Sequence, residues 1–173
     1  MNIFIYIISF IVIAVTQYLY LYGKLEGLLF ILKPVVYLVS LFTGEGFTYY
    51  SEMGFLNPKL AVNIGRECAG INFFSIVLLM LIFSNIKRVK GRGSKLIFLL
   101  SSMIFSYLVA IIVNASRIIA SLFLLDLKIF PNGYEALVHQ ATGIIFFLGY
   151  LFAIQFLFKK IICKMGDHYD EII

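Results

Sequence analysis

The chain has 173 residues, of which 62% are apolar and only 13% charged, with a formal net charge of +5; soluble domains average roughly 25% charged. A water-soluble domain of this size has too little interior for about 107 apolar residues, so the composition predicts an integral membrane protein. Two cysteines exclude a disulfide scaffold, and 18 Phe with 11 Tyr exclude a disordered chain. The basic residues fall in runs that read as membrane-topology signals and not as a nucleic-acid surface.

A hydrocarbon core of ~30 Å takes roughly 20 helical residues to cross, and five stretches are candidates. Residues 2–22 carry no charge, and they lack the basic leader and small-residue cleavage site of a signal peptide, so they read as a retained span. Residues 28–43 contain Lys33 followed by Pro34, which predicts a short, kinked or tilted span. Residues 43–67 are more polar. Within them, residues 47–51 are rich in aromatic residues and Thr, Leu60, Val62 and Ile64 alternate with smaller or polar residues, and Asn57-Pro58 marks a turn between. That pattern predicts a short hairpin over the membrane surface. Spans at 68–86, 96–118 and 136–158 follow. The expected fold class is all-α, a polytopic membrane protein with one membrane domain over residues 1–173 and five transmembrane helices. Residues 166–173 read as a frayed tail.

Five basic residues fall within residues 87–95, and Lys159, Lys160 and Lys164 follow the last span. Basic loops stay cytoplasmic, which predicts both of these ends, and hence the C-terminus, on the cytoplasmic side of the membrane. Counting back one crossing per span puts the turn at 23–27 inside. The amino terminus, residues 43–67 and the loop at 126–135 then lie outside.

Titratable groups inside membrane spans are costly and mark function by default. At 1.5 Å per residue, Cys68 lies ~28 Å from Lys87, Arg117 ~33 Å from Lys95 and His139 ~30 Å from Lys159. Three different spans therefore bring a thiol, a guanidinium and an imidazole to one depth at the outer interface. A thiol attacks as its thiolate, which the free N–H groups of a helix start favour; Cys68 is expected to open its span. His139, in the first turn of its own helix, is the expected base. Arg117 stays cationic in a dry setting and offers several donors to an oxyanion, with N–H groups near Cys68 assisting. Alone, each has a plainer reading: a packed cysteine, a structural histidine, an arginine snorkelling to the interface. Their coincidence favours catalysis.

Asn114, three residues before Arg117, is placed to hold the guanidinium. Gly143, four after His139, and Gly70, beside Cys68, remove side chains where another backbone can approach. Glu67 is either an orienting carboxylate for Arg117 or His139 or an exposed loop residue. Cys163 lies a membrane thickness from Cys68, too far for a disulfide. No metal or cofactor is expected: His139 and His168 fall on opposite sides and no ligand-spaced cluster exists.

The segments Glu67-Cys68-Ala69-Gly70-Ile71, Asn114-Ala115-Ser116-Arg117-Ile118 and His139-Gln140-Ala141-Thr142-Gly143, in that order and spacing, resemble the exosortase/archaeosortase family of membrane cysteine transpeptidases, in particular its short, exosortase K-like type. The likeness runs from about Glu67 to Gly149, half of the chain, although many members have more spans. It implies Cys68 as nucleophile with Arg117 and His139 as the other catalytic residues. It also implies substrates that are exported proteins ending in a short motif, a transmembrane helix and a basic cluster, cleaved at the motif and transferred to a lipid or glycan acceptor at the surface. The rival readings are a small transporter or channel subunit, in which Arg117 binds an anion, and a non-catalytic partner subunit.

Overall fold

The computed structural model describes residues 2–127 and 133–170; the side chains of Asp126, Glu135, Ala136, His139, Lys159 and residues 161–170 lie outside the described set. Five helices carry most of it: α1 (Asn2–Tyr22), α2 (Leu29–Thr43), α3 (Ile71–Asn85), α4 (Arg92–Asp126) and α5 (Glu135–Asp170). Short 3-10 turns at Leu25–Leu28 and Arg66–Cys68 precede α2 and α3. Five helical stretches are long and apolar enough to cross a membrane. Their outer faces are apolar as well, with Phe4, Phe10, Ile97, Ile104, Phe152 and Phe156 all exposed. Such contiguous apolar exterior suits a lipid surround and not water, and is compatible with a multi-pass membrane protein.

α4 is the longest-reaching packing element, touching α2, α3 and α5, while α1 packs mainly on α3. The centre of the bundle is a dry aliphatic and aromatic core in which Leu32, Val35, Val39, Phe73, Val77 and Leu78 are essentially fully buried. Polar residues within it are satisfied locally: Ser9, Ser75, Ser106 and Asn85 each donate to the carbonyl four residues earlier, a standard outlet for side chains that have no water available.

Pro34 sits inside α2. Lacking an N–H, it leaves the carbonyl of Phe30 without its helical partner. Tyr107 of α4 supplies the missing donor, its hydroxyl bonding to Phe30 O at 2.6 Å, with the two rings stacked. The predicted irregularity at Lys33-Pro34 thus ties α2 to α4 halfway along the latter.

The direction of the first two helices departs from the sequence expectation. Lys95 Nζ bonds to Asn2 Oδ1 at 2.6 Å, so α1 starts at the basic end of the bundle. Gln17 Nε2 bonds to Asn72 Oδ1, and the Arg66 guanidinium donates to the carbonyls of Tyr20 and Gly23, so α1 finishes at the opposite end, beside the start of α3. α2 then begins level with Tyr107 and ends where Leu38 and Phe42 lie against Ile112, Ile119 and Phe123. It runs the same way as α1 and α4. The expected amino terminus far from the basic connection, and the turn at 23–27 near it, are both corrected. The stretch Leu25–Thr43 is itself long and apolar enough to cross a membrane; what does not hold is the expected alternation of direction, since the chain restarts partway up α4 with Leu25 and Leu28 buried.

Residues 43–67 form a three-stranded antiparallel meander of β1 (Thr48–Tyr50), β2 (Gly54–Asn57) and β3 (Val62–Ile64), where a two-stranded hairpin was expected. Phe55 pairs with both Tyr49 and Ile64. The turn after β2 is built by Asn57, whose Oδ1 accepts from Leu60 N at 2.9 Å and whose Nδ2 donates to Gly46 O at 2.7 Å. Gly54 has φ +104°, and a Cβ there would meet Ile64 O at 2.5 Å; only glycine lets β2 lie this close to β3. The sheet delivers the chain from β3 through Gly65 directly into the turn that carries Cys68.

Candidate active site

Cys68 is the last residue of the 3-10 turn Arg66–Cys68 and lies three residues ahead of α3. It was expected to open the helix; instead Gly70, in the left-handed region at φ +66°, separates the turn from α3. The N–H groups of Cys68 and Ala69 are committed to the carbonyls of Gly65 and Arg66, at 3.0 Å each. The helix-start field therefore begins beyond the thiol, and those two N–H groups are not available to an oxyanion in this arrangement.

The thiol is 5% exposed and faces Arg117 of α4, with Nη2 to Sγ at 3.6 Å. This distance suits a hydrogen bond to sulfur, which takes longer contacts than oxygen. Residues 49 positions apart in sequence thus meet at one depth. Arg117 is itself only 9% exposed, and its Nε has no hydrogen-bond partner. Its guanidinium carbon lies 5.6 Å from the centroid of the Phe147 ring on α5, within cation–π range. Among the described residues no carboxylate pairs with it: the ion pair Lys59–Glu45 is elsewhere, and Glu67 is exposed without an ion pair. A guanidinium held by sulfur and an aromatic face retains donor capacity, and burying a cation this way is costly unless it has something to bind.

The two glycines singled out in the sequence both make room. A Cβ at Gly143 of α5 would sit 3.2 Å from Arg117 Cδ and 3.5 Å from Nη1, so α5 can lie against the arginine stem. A Cβ at Gly70 would collide with the Asn114 amide. Asn114 is fully buried and fills the space over Gly70; its Nδ2 donates to Ala110 O at 2.8 Å and its Oδ1 has no partner. Asn114 therefore commits its amide to the helix and to the space over Gly70, with no bond to the guanidinium. Two of the three unpartnered buried polar atoms among the described residues, Arg117 Nε and Asn114 Oδ1, lie on one face of α4, the third being the Tyr49 hydroxyl in the sheet; most buried polar groups in proteins are paired.

His139 lies in α5, one turn before Gly143, with its side chain outside the described residues, as are those of Cys163 and His168. Around the turn that follows it, Ser121 Oγ and Thr142 Oγ1 are hydrogen-bonded at 2.7 Å, and Thr142 also donates to Val138 O. Lower down, Ser116 Oγ meets Tyr150 OH at 3.2 Å. Phe147 and Ser121 were not singled out from the sequence. A signal existed: Phe147 is four after Gly143, and Ser121 four after Arg117, the spacing that stacks residues on one helix face. No group of three or more potential metal-ligating residues occurs among the described residues. Compared with known proteins, the chain matches no family model and is similar to no curated protein and no solved structure.

Proposed function

We propose that the chain is a membrane-embedded cysteine peptidase and transpeptidase. The observation that carries this reading is the buried pair of Cys68 and Arg117, 3.6 Å apart, brought together from two helical segments with no carboxylate among the described residues to neutralise the arginine. A structural arginine in a membrane bundle is normally paired or snorkels outward; this one is turned to a thiol.

In the proposed reaction the Cys68 thiol gives its proton to His139 and the sulfur attacks a peptide carbonyl carbon. The tetrahedral oxyanion takes hydrogen bonds from Arg117. The C–N bond then breaks, the leaving amine takes the proton from His139, and the upstream part of the substrate remains as a thioester on Cys68. An amine acceptor or water attacks the thioester and returns the thiolate. The substrates we propose, by the family resemblance, are exported proteins ending in a motif, a transmembrane helix and a basic cluster. The basic connection at 87–95 supports a cytoplasmic location for that end of the bundle, and hence a site on the extracytoplasmic side.

Co-production with such an exported protein from the same genome tests the reading. Acid-quenched membranes are expected to contain an adduct of the chain with the upstream part of the substrate, linked at Cys68 and released by neutral hydroxylamine. Well-accumulated protein that cleaves no such substrate, together with anion flux that depends on Arg117, would replace the peptidase with a transporter.

A further inference from the structure

A second polar site lies at the other end of the bundle. Between the last turn of α3 and α5, near the basic connection, there is a cavity of about 200 Å³. Its polar lining is Ser84, Asn85, Arg88 and Gln155, and its apolar lining is Met80, Leu81 and Phe158. Ser84, Arg88 and Gln155 are exposed, and their side chains have no hydrogen-bond or ion-pair partner among the described residues. Asn85 is buried and gives one amide hydrogen to Leu81 O at 2.9 Å. Arg88 is fixed at the rim by its own backbone, which bonds to Asn85 O at 2.9 Å.

The chemistry of this lining is one-sided. It offers a guanidinium, a hydroxyl and amide donors, and no carboxylate. The sequence has no Asp or Glu anywhere between Glu67 and Asp126, or between Glu135 and Asp167, so neither wall can neutralise Arg88 from within, and Lys87, Lys90 and Arg92 reinforce the positive field. The space is several times the ~30 Å³ share of one water molecule. Along the α3 wall the polar group is the outer one: Met80 is within the helix and Arg88 lies three residues past its end at Asn85. An occupant that uses the whole cavity is anionic at Arg88 and apolar against Met80 and Phe158.

We propose that this cavity binds the phosphate headgroup of an anionic phospholipid, with the start of an acyl chain against Met80 and Phe158. Free phosphate shares the anion chemistry but leaves the apolar wall uncovered. Basic pockets between membrane helices at a headgroup level recognise anionic lipids in this way. The proposal is independent of the chemistry at Cys68.

Native mass spectrometry of the full chain in neutral detergent tests it, with phosphatidylglycerol, phosphatidylcholine of the same acyl chains, and inorganic phosphate as probes. The parent is expected to retain one phosphatidylglycerol about fivefold better than phosphatidylcholine, as one basic contact at the surface would give. Arg88→Gln removes that preference, whereas Arg92→Gln, altering an exposed charge outside the cavity, changes retention less than about twofold. Gln155→Leu, which keeps the net charge and sits on the opposite wall, lowers phosphatidylglycerol retention about fivefold through the lost hydrogen bond, and decides the matter if Arg88→Gln does not fold. Equal retention of the two lipids, equal loss in Arg88→Gln and Arg92→Gln, or an unaffected Gln155→Leu overturns the proposal. So does displacement of the lipid by millimolar phosphate, which would make the site one for the free anion.

Discussion

Cys68→Ala is expected to accumulate in membranes at the parent's level and to leave substrate uncleaved. The stability side is small because the substitution removes one sulfur from a turn whose backbone bonds, Cys68 N to Gly65 O and Ala69 N to Arg66 O, do not involve the side chain; the cost is on the order of 1 kcal/mol. The chemical side is total, since no other cysteine among the described residues can carry the acyl group. Cys68→Ser is the companion variant: its hydroxyl still accepts from Arg117 but is a far weaker nucleophile. The measurement is substrate cleavage normalised to the amount of folded protein. Parent-like cleavage by Cys68→Ala removes the enzyme reading and leaves Arg117 as an anion-binding residue.

Arg117→Lys separates planar donors from bare charge. Lysine keeps the positive charge and fits along the groove left by Gly143, but it has no counterpart to a guanidinium that reaches Cys68 through Nη2, lies near the Phe147 ring and still has a free Nε. A flexible ammonium does not reproduce that fork. Loss of an oxyanion donor costs about 2.7–4 kcal/mol, or 10²–10³ in rate. We therefore expect cleavage at least about tenfold slower in Arg117→Lys, and slower still in Arg117→Ala, both measured at saturating substrate so that binding is not mistaken for chemistry. Parent-like activity in Arg117→Lys would assign the residue to charge or anchoring alone.

The meeting of Cys68 and Arg117 was legible from arithmetic, because a straight helix converts residue count into depth and both could be measured from the same basic connection. Apolar length also located all five helices. What counting could not give was direction. Hydropathy marks a stretch as lipid-compatible whichever way it runs, and the contacts that set α1 and α2 parallel, Lys95 with Asn2 and Tyr107 with Phe30, join residues far apart in sequence. The middle strand β2 was hidden for a local reason: Gly-Phe-Leu-Asn has no alternation, and its glycine is a strand breaker by propensity that is required here by the approach of Ile64. Asn114 was read correctly as part of the neighbourhood, but its amide follows the helix rule of bonding four residues back, which competes with any bond to the guanidinium.

The shared heading of α1 and α2 sets an expectation for how the chain is threaded through a membrane. Taken together they make one ascent from the Lys95 end to the Cys68 end, α3 descends, α4 ascends and α5 returns past Phe105 and Phe158 toward the start. Asn2 and the part of α5 beyond Phe158 thus lie toward the same end of the bundle, and we expect them in one compartment when the bundle spans a membrane. A compartment-sensitive reporter, such as a phosphatase that folds only where disulfides form, is expected to give matching signals when fused at either end of the chain. Five alternating passages would give opposite ones. On the same expectation Gly23 to Leu28 is a shoulder in a single ascending limb, and a protease confined to the side of the basic connection should not find it.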